Sequence, residues 1–432
     1  MATNNPLSDP TALPRRDFMC IDCKSFYAST EAIKRGIAPL GANIVVLSRE
    51  ESKGGLVLAA SPYSKKTYGV KLGTRRFELR PEMKLEIGEP HMADYIAKNM
   101  RINHIYQQFT DRDHWFPYSI DESFLDVSGS HRLFGDDDEI AARIQHKVYT
   151  ETGIFTTVGM GPNPLLAKLA LDNAAKKEAP WRAWWDYDQV PKTVWQIDPI
   201  DNMWGIGNRL ATRLHNLGID TVKQLAQADI KKLHQEFGIL GDQLYYHAWG
   251  IDYSNLEHRY VPRSENRGYG NSQVLMRDYV TARDCETIIR EIANQVATRL
   301  RQHHVQCEVV GISIGYAEER DNRRGFFGAQ MHVTPTNLTN EIADTAVHLF
   351  NKKWDGTPIR NVGVRCNRIS DQHSLQLSLF ERGERTLQRA QLDQVIDRIQ
   401  ERFGIKALVR ASSKTAGGTA IDRADLIGGH HA

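Results

Sequence analysis

One order of elements occurs twice along this chain of 432 residues, and it constrains the fold more than any single motif. The first copy opens with a buried strand at Phe18-Met19-Cys20-Ile21 and a helix from Ser25 to Lys34. A helix at about 91–109 then leads to short strands at about 115–121 and 123–128, a helix at about 137–151 and a strand over 155–159. The second copy has a helix with the stripe Ile289, Ile292, Val296 and Leu300. Strands at about 305–316 and 324–333, a helix near 338–352 and a strand near 359–369 follow it. Strand, helix, strand, strand, helix, strand is the split βαβ, or ferredoxin-like, order. Each copy predicts a sheet that serves as a platform with one face open. Fold alone does not give function.

The intervening stretches differ. Residues 1–16 are polar and proline-bearing and read as a flexible arm. Residues 37–80 read as an inserted, partly β module with a strand at 43–47 and a turn at Gly54-Gly55. Residues 187–255 are helical and punctuated by glycine: Trp204-Gly205-Ile206-Gly207 precedes a helix with Leu210, Leu214 and Leu217 on one face, stopped by Gly218. Phe237-Gly238-Ile239-Leu240-Gly241 is a looser echo of that turn. Residues 256–273 read as a linker, and 371–432 as a polar tail with one helix at about 385–403.

The length allows two to four domains. No apolar run approaches the roughly 18 residues of a membrane span, and Met1 to Cys20 lack the apolar core of a secretory leader. The expected address is the cytoplasm, and five cysteines, an odd number, fit free thiols there. A net charge of +2 does not announce a nucleic-acid partner, so any such surface must be local.

The sharpest constellation is Asp22 at the end of the first strand with Ser119-Ile120-Asp121-Glu122 in the strand pair. Three carboxylates at the rim of one sheet suit two-metal phosphoryl transfer, because Mg²⁺ takes hard oxygen ligands and completes its shell with substrate phosphates. By spacing alone, a helix cap at Asp22 and a solvated turn at 121–122 serve equally well. On an ideal strand Asp121 and Glu122 face opposite ways, so both reach one site only if the backbone bends there. Cys20-x-x-Cys23 has no second pair at metal-ligand spacing and reads as packing.

Wider context separates the readings. Asp22-Cys23-Lys24-Ser25-Phe26-Tyr27-Ala28 and Tyr118-Ser119-Ile120-Asp121-Glu122-Ser123-Phe124 together resemble the palm motifs of Y-family, lesion-bypass DNA polymerases. Tyr63-Ser64-Lys65-Lys66-Thr67-Tyr68-Gly69 is similar to the family's finger motif, and residues 161–170 with Lys176 to the end of its palm. Gly205-Ile206-Gly207 resembles its thumb hairpin, and residues 359–365 the last strand of its little finger. The matches run in order from about residue 17 to 370, and the whole looks most like the bacterial mutagenesis-associated branch.

The resemblance implies an α+β, multi-domain right-hand polymerase. Its ferredoxin-like palm would be 17–36 and 81–186, with small fingers 37–80, a helix-hairpin-helix thumb 187–255 and a ferredoxin-like little finger 274–370. It implies two Mg²⁺ ions, with Mn²⁺ as a substitute, held by Asp22, Asp121, Glu122 and the main-chain carbonyl of Cys23. Tyr27 would be the steric gate against a ribose 2′-OH, with Phe26 beside it. Tyr63, Lys66 and Lys176 would meet the dNTP triphosphate, although many relatives carry arginine where Lys66 stands, Lys65 could serve instead, and the Lys176-Lys177 pair leaves the register open by one. Gly205 and Gly207 would approach a DNA phosphate, and Arg323, Arg324, Arg360 and Arg365 would grip primer–template DNA. Gln376, Leu377, Leu379 and Phe380 resemble a peptide that binds the bacterial sliding clamp. An accessory mutagenesis subunit is a further candidate partner, and no membrane is implied. The rival functions are a palm-type nucleotidyl cyclase and a non-enzymatic DNA- and clamp-binding scaffold.

Overall fold

The structure, a computed structural model, describes residues 6–7, 12–48, 55–257, 267–317, 325–372, 383–427 and 430–431. The chain divides into two compact units, Met1–Arg259 and Tyr260–Ala432.

In the first unit, β1 (Phe18–Cys23) runs into α1 (Phe26–Lys34). An excursion of β2 (Ile44–Leu47), β3 (Val57–Ala60), α2 (Pro62–Tyr68) and β4 (Glu86–Gly88) builds a separate three-stranded sheet in the order β3-β2-β4. The chain returns through α3 (Met92–Tyr106), β5 (Trp115–Pro117), β6 (Glu122–Asp126), α4 (His131–Phe134) and α5 (Asp137–Thr152). It continues through β7 (Thr156–Gly161), α6 (Pro164–Ala170) and β8 (Arg182–Trp184). β1 is central in a sheet ordered β5-β6-β1-β7-β8 and antiparallel to both neighbours.

Alternation along β1 explains the layers. Met19 and Ile21 pack with Tyr95, Ile102, Ile140 and Ile144 of α3 and α5. Phe18 and Cys20 join Phe124, Ala167 and Leu171 at α6. This sheet is therefore covered on both faces, against the expectation of one open face. A continuous apolar run such as Phe18–Ile21 is what a doubly buried strand requires. Residues 13–16 are docked rather than a flexible arm: Leu13 is buried, Arg15 makes a two-pronged pair with Asp186 (2.9 and 3.0 Å), and Arg16 pairs with Asp126 and Glu257 (both 2.7 Å). Those partners lie more than a hundred residues away in sequence.

Helices α7 (Asn208–Asn216), α8 (Val222–Gln227), α9 (Ile230–Phe237) and α10 (Ile239–Ala248) share a core that includes Leu214, Val222, Leu225, Leu233 and Leu244. Leu217, expected on the buried stripe, is exposed. Gly241, expected before a helix, lies inside α10, where a Cβ would overlap the Leu233 carbonyl. Glycine there lets α9 and α10 touch, and the turn itself is made by Gly238 at φ 64.

The second unit has β9 (Gly268–Tyr279), α11 (Ala282–Gln302), β10 (Val305–Tyr316), β11 (Phe326–Thr336), α12 (Thr339–Lys353) and β12 (Ile359–Asp371). Its antiparallel sheet runs β11-β10-β12-β9. Ile289, Ile292, Val296 and Leu300 of α11 pack on Val310, Ile312, Val362 and Val364. The opposite face, with Gly270, Ser272, Gln330 and Arg365, is open. Residues 268–273, expected as the end of a linker, are the first half of β9. Gly270 is a close-approach residue, since a Cβ there would sit 3.2 Å from the Arg365 Cβ.

The polar tail is also folded. α13 (Gly383–Phe403) presents Asp393 and Asp397 to the buried Arg301 at 3.2 and 2.6 Å. Asp393 also accepts Thr339 N–H at 2.8 Å, capping α12, whose N-cap residue Leu338 has no polar side chain. Further on, Thr419 donates through N–H and Oγ to buried Glu291. Docking by charge and hydrogen bonds leaves no apolar signature in sequence.

Candidate active site

Asp22 and Glu122 are direct partners across the β1–β6 ladder, so their side chains share the α6 face of the sheet. Asp121 lies just outside β6, in a tight turn where Tyr118 N–H and Ser119 N–H both donate to the Glu122 carbonyl (2.9 and 3.0 Å). That bend takes Asp121 out of the strand's alternation. The Asp121 carbonyl accepts Cys23 N–H at 2.8 Å, tying the turn to the end of β1.

Each carboxylate has one oxygen committed. Ser119 Oγ donates to Asp121 Oδ1 at 2.7 Å, and Lys176 Nζ pairs with Asp22 Oδ2 at 3.0 Å. Lys168 Nζ at 2.6 Å and the Cys20 thiol at 2.9 Å both fall on Glu122 Oε1. Among the described residues, nothing hydrogen-bonds Asp22 Oδ1, Asp121 Oδ2 or Glu122 Oε2. Burial pushes the Asp22 carboxyl up to about 6; Lys176 opposes this, and the neighbouring Asp121 and Glu122 charges add to it. Burial works against the Lys176 ammonium, but Asp22 and Asp172 hold it well above the usual lysine range.

The β1–α1 connection turns sharply at Ser25, a non-glycine residue in the left-handed region at φ 50. The turn starts α1 beside the carboxylates. Phe26 is buried in the core, while Tyr27 is half-buried and stacks on Tyr95 with ring centres 4.2 Å apart. Tyr95 OH donates to the buried Glu31 at 3.0 Å. Burial raises the Tyr27 hydroxyl, and the Asp121 charge raises it further.

Helix α2 carries Tyr63, 41% exposed, and Lys66, also exposed. Lys65 Nζ, rather than Lys66, reaches the β1–α1 turn, donating to Ser25 Oγ at 3.0 Å. Between the paired lysines, Lys176 lies at Asp22 while Lys177 is exposed. Lys168 and Tyr95 were not singled out from sequence. The spacing of Lys168 and Lys176 on one helical segment was the available signal for the first.

Gly205, at φ 95, and Gly207, the N-cap of α7, are exposed on either side of buried Ile206, with open space where side chains would be. Arg365 stands on the open face of the second unit's sheet beside Gly270, Gly311 and Gly363. Arg360 is committed to Asp278 at 2.8 Å and to the Met276 carbonyl. Arg323, Arg324 and the Gln376–Phe380 segment lie outside the described residues.

A sheet-rim carboxylate triad with a lysine-bearing helix, a small α/β excursion, a glycine-hairpin helical module and a second ferredoxin-like unit together make the fold of a Y-family DNA polymerase. Residues 21–172 match the impB/mucB/samB family, 266–379 its C-terminal domain, and 201–252 the thumb domain of DNA polymerase-iota. The chain belongs to the impB/mucB/samB family of Y-family translesion DNA polymerases. It is 38% identical over 98% of its length to the UV-damage repair protein UvrX of Bacillus subtilis, of which it covers 99%. It is 33% identical over 95% of its length to DNA polymerase IV 2 of Halalkalibacterium halodurans, covering 98% of that protein. The solved chimera of the Y-family polymerases Dbh and Dpo4 shares the fold, with a TM-score of 0.65 over 82% of this chain and 99% of that one, at 20% identity.

Proposed function

We propose that this DNA-directed DNA polymerase extends a primer across damaged template by two-metal-ion phosphoryl transfer. The primer 3′-OH attacks the α-phosphate of the dNTP, the new phosphodiester forms, and pyrophosphate leaves. One observation carries the reading: Asp22 and Glu122 are partners at one strand end with Asp121 in the adjoining turn, and among the described residues each carboxylate has one oxygen held by the protein and the other without a donor. Asp22, Asp121, Glu122 and the Cys23 carbonyl would hold two Mg²⁺ ions, or Mn²⁺. When bound, such ions neutralise charge on the attacking and leaving oxygens.

The protein's own groups do the rest. Ser119 and Lys168 orient Asp121 and Glu122 by fixing one oxygen of each. Lys176 supplies positive charge beside Asp22 and is the palm contact for the triphosphate; Tyr63 and Lys66, with Lys65 nearer the turn, face it from α2. Tyr27, backed by Tyr95, stands against the sugar and excludes a 2′-OH by clash. Gly205 and Gly207 admit a DNA phosphate to the N-terminus of α7, where main-chain N–H groups are unpaired by the helix. Arg365 grips the duplex backbone, and Arg323 and Arg324 are assigned the same role. Gln376, Leu377, Leu379 and Phe380 bind the bacterial sliding clamp, and an accessory mutagenesis subunit is a further partner.

No helix among the described residues is long and apolar enough to cross a membrane, and we assign the enzyme to the cytoplasm. A cyclase has no use for the glycine hairpin or the second sheet, and a scaffold has no use for an intact triad. Primer extension with Mg²⁺ on intact and lesion-bearing templates tests the proposal. Asp121→Ala and Glu122→Ala should each abolish addition while primer–template binding stays within about twofold. Robust Mg²⁺-dependent extension by Asp121→Ala would falsify the triad.

A further inference from the structure

Five side chains in the first unit alternate in sign along one line. Glu122 Oε1 meets Lys168 Nζ at 2.6 Å, and Lys168 meets Asp172 Oδ2 at 3.0 Å. Asp172 Oδ1 meets Lys176 Nζ at 2.9 Å, which meets Asp22 Oδ2 at 3.0 Å. The ends of the line are two of the three clustered carboxylates. The middle three members sit at spacings of four on one helical segment.

An ordinary α-helix carries pairs at spacings of four but lets such a line drift around its axis. Four residues advance about 400°, so each step of four drifts about 40° off the stripe. Here α6 ends at Ala170 and Leu171–Ala175 form a π turn, closed by Lys176 N–H donating to the Leu171 carbonyl at 3.1 Å. A wider turn advances less per residue and offsets the drift. The segment is also pressed onto the sheet, because Gly159 of β7 leaves no room for a Cβ against the Ala167 carbonyl and Leu171 backbone. Lys168 is 7% exposed, whereas the Asp172 and Lys176 side chains are 30% and 34% exposed. Lys168 is thus fixed by burial, and Lys176 is held mainly by its two carboxylate partners.

We propose that Asp172 is a positioning residue for nucleotide binding, acting through Lys176. In this role it acts on the Lys176 ammonium rather than on nucleotide or metal. Lysine is a point charge on a flexible four-carbon stem. With a divalent ion held by Asp22, Asp172 would remain as the anchor of Lys176 and keep the ammonium beside the incoming phosphates. Without Asp172, Lys176 has Asp22 alone, so it competes with the ion there or swings into solvent. The inference rests on the reading of Lys176 as a triphosphate contact.

The test is a double-mutant cycle in single-nucleotide addition by the full chain. Parent, Asp172→Asn, Lys176→Ala and the double variant are compared for dNTP KM, kcat and primer–template Kd. Asp172→Asn should raise KM about 3- to 10-fold, towards the lower end of the coupling found within one ion-pair network, with DNA Kd unchanged. Lys176→Ala should raise KM at least as far, and the double variant should match Lys176→Ala within about twofold. Asp172→Glu, which restores the charge, should recover most of the parent KM. Multiplying effects in the double variant, or an unchanged KM in Asp172→Asn, would overturn the role of Asp172. A parent-like KM in Lys176→Ala would instead overturn the reading of Lys176, and the proposal with it. If Asp172→Asn lowers the unfolding midpoint, the Asp172→Glu comparison and the KM-against-kcat split decide, since loss of folded enzyme lowers apparent kcat and leaves KM alone.

Discussion

Asp22→Asn should make the metal-free protein more stable while removing its activity. In the folded chain the Asp22 carboxyl titrates at about 6, against 3.8 for an unperturbed aspartate. The cause is first burial, then the Asp121 and Glu122 charges, with Lys176 in opposition. A group whose folded pKa is raised binds its proton more tightly in the native state. Its contribution is present below 3.8 and is lost as pH rises through 6. At neutral pH the ionised carboxylate therefore costs the fold up to about 3 kcal/mol, at 1.36 kcal/mol per pH unit. The side chain is only 18% exposed, so solvent screens little of this. Asparagine keeps the shape without the charge, and Lys176 keeps Asp172 as partner. At roughly 2–4 °C per kcal/mol for a domain of this size, the first unit should melt up to about 6–12 °C higher in EDTA at pH 7.5. The gain should shrink to about 0.5 kcal/mol at pH 4, where the folded carboxyl is protonated but the unfolded one is still partly ionised, and vanish only below pH 3.8. Divalent ions should narrow it from the other side, by stabilising the parent alone. Melting of both proteins at pH 4, 6 and 7.5, with and without Mg²⁺, checks this. A variant less stable than the parent at pH 7.5 in EDTA, or a difference independent of pH, would refute the electrostatic reasoning.

Tyr27→Ala should admit ribonucleotides with a modest loss of deoxynucleotide use, read as the ratio of kcat/KM values; unchanged discrimination means the ring is not the gate. Truncation after residue 382 removes Asp393 and Asp397 from buried Arg301, so the second unit should lose about 3–5 kcal/mol, visible as an earlier urea transition. A parent-like midpoint would show the tail to be dispensable. Replacing Leu379 and Phe380 with alanine should leave extension on a short primer unchanged and abolish stimulation by a loaded bacterial clamp, because a few apolar anchors carry most of such binding. Equal stimulation of parent and variant would remove the clamp assignment.

Much of this protein was legible in its residues because the signals are local. The apolar run Phe18–Ile21, the stripe along α11 and the order of elements in both copies are set by side-chain periodicity, which neighbours in sequence carry by themselves. The acidic residues at 22, 121 and 122 could be paired by motif order before any geometry was known. Tertiary structure decided the rest, because it depends on contacts between residues distant in the chain. The turn at 118–121 takes Asp121 out of the alternation of β6, and burial, opposed by Lys176 and reinforced by the neighbouring carboxylates, sets the proton affinity of Asp22. The second face of the central sheet is closed by α6, and glycines 268 and 270 prove to be strand rather than linker because another strand passes close to them. The tail docks through Arg301, Asp393, Asp397 and Glu291, and polar residues read as solvated until their buried partners are known. Likewise, the sequence places Lys168, Asp172 and Lys176 four apart; the π turn packed against Gly159 and the partners Glu122 and Asp22 are visible only in the tertiary structure.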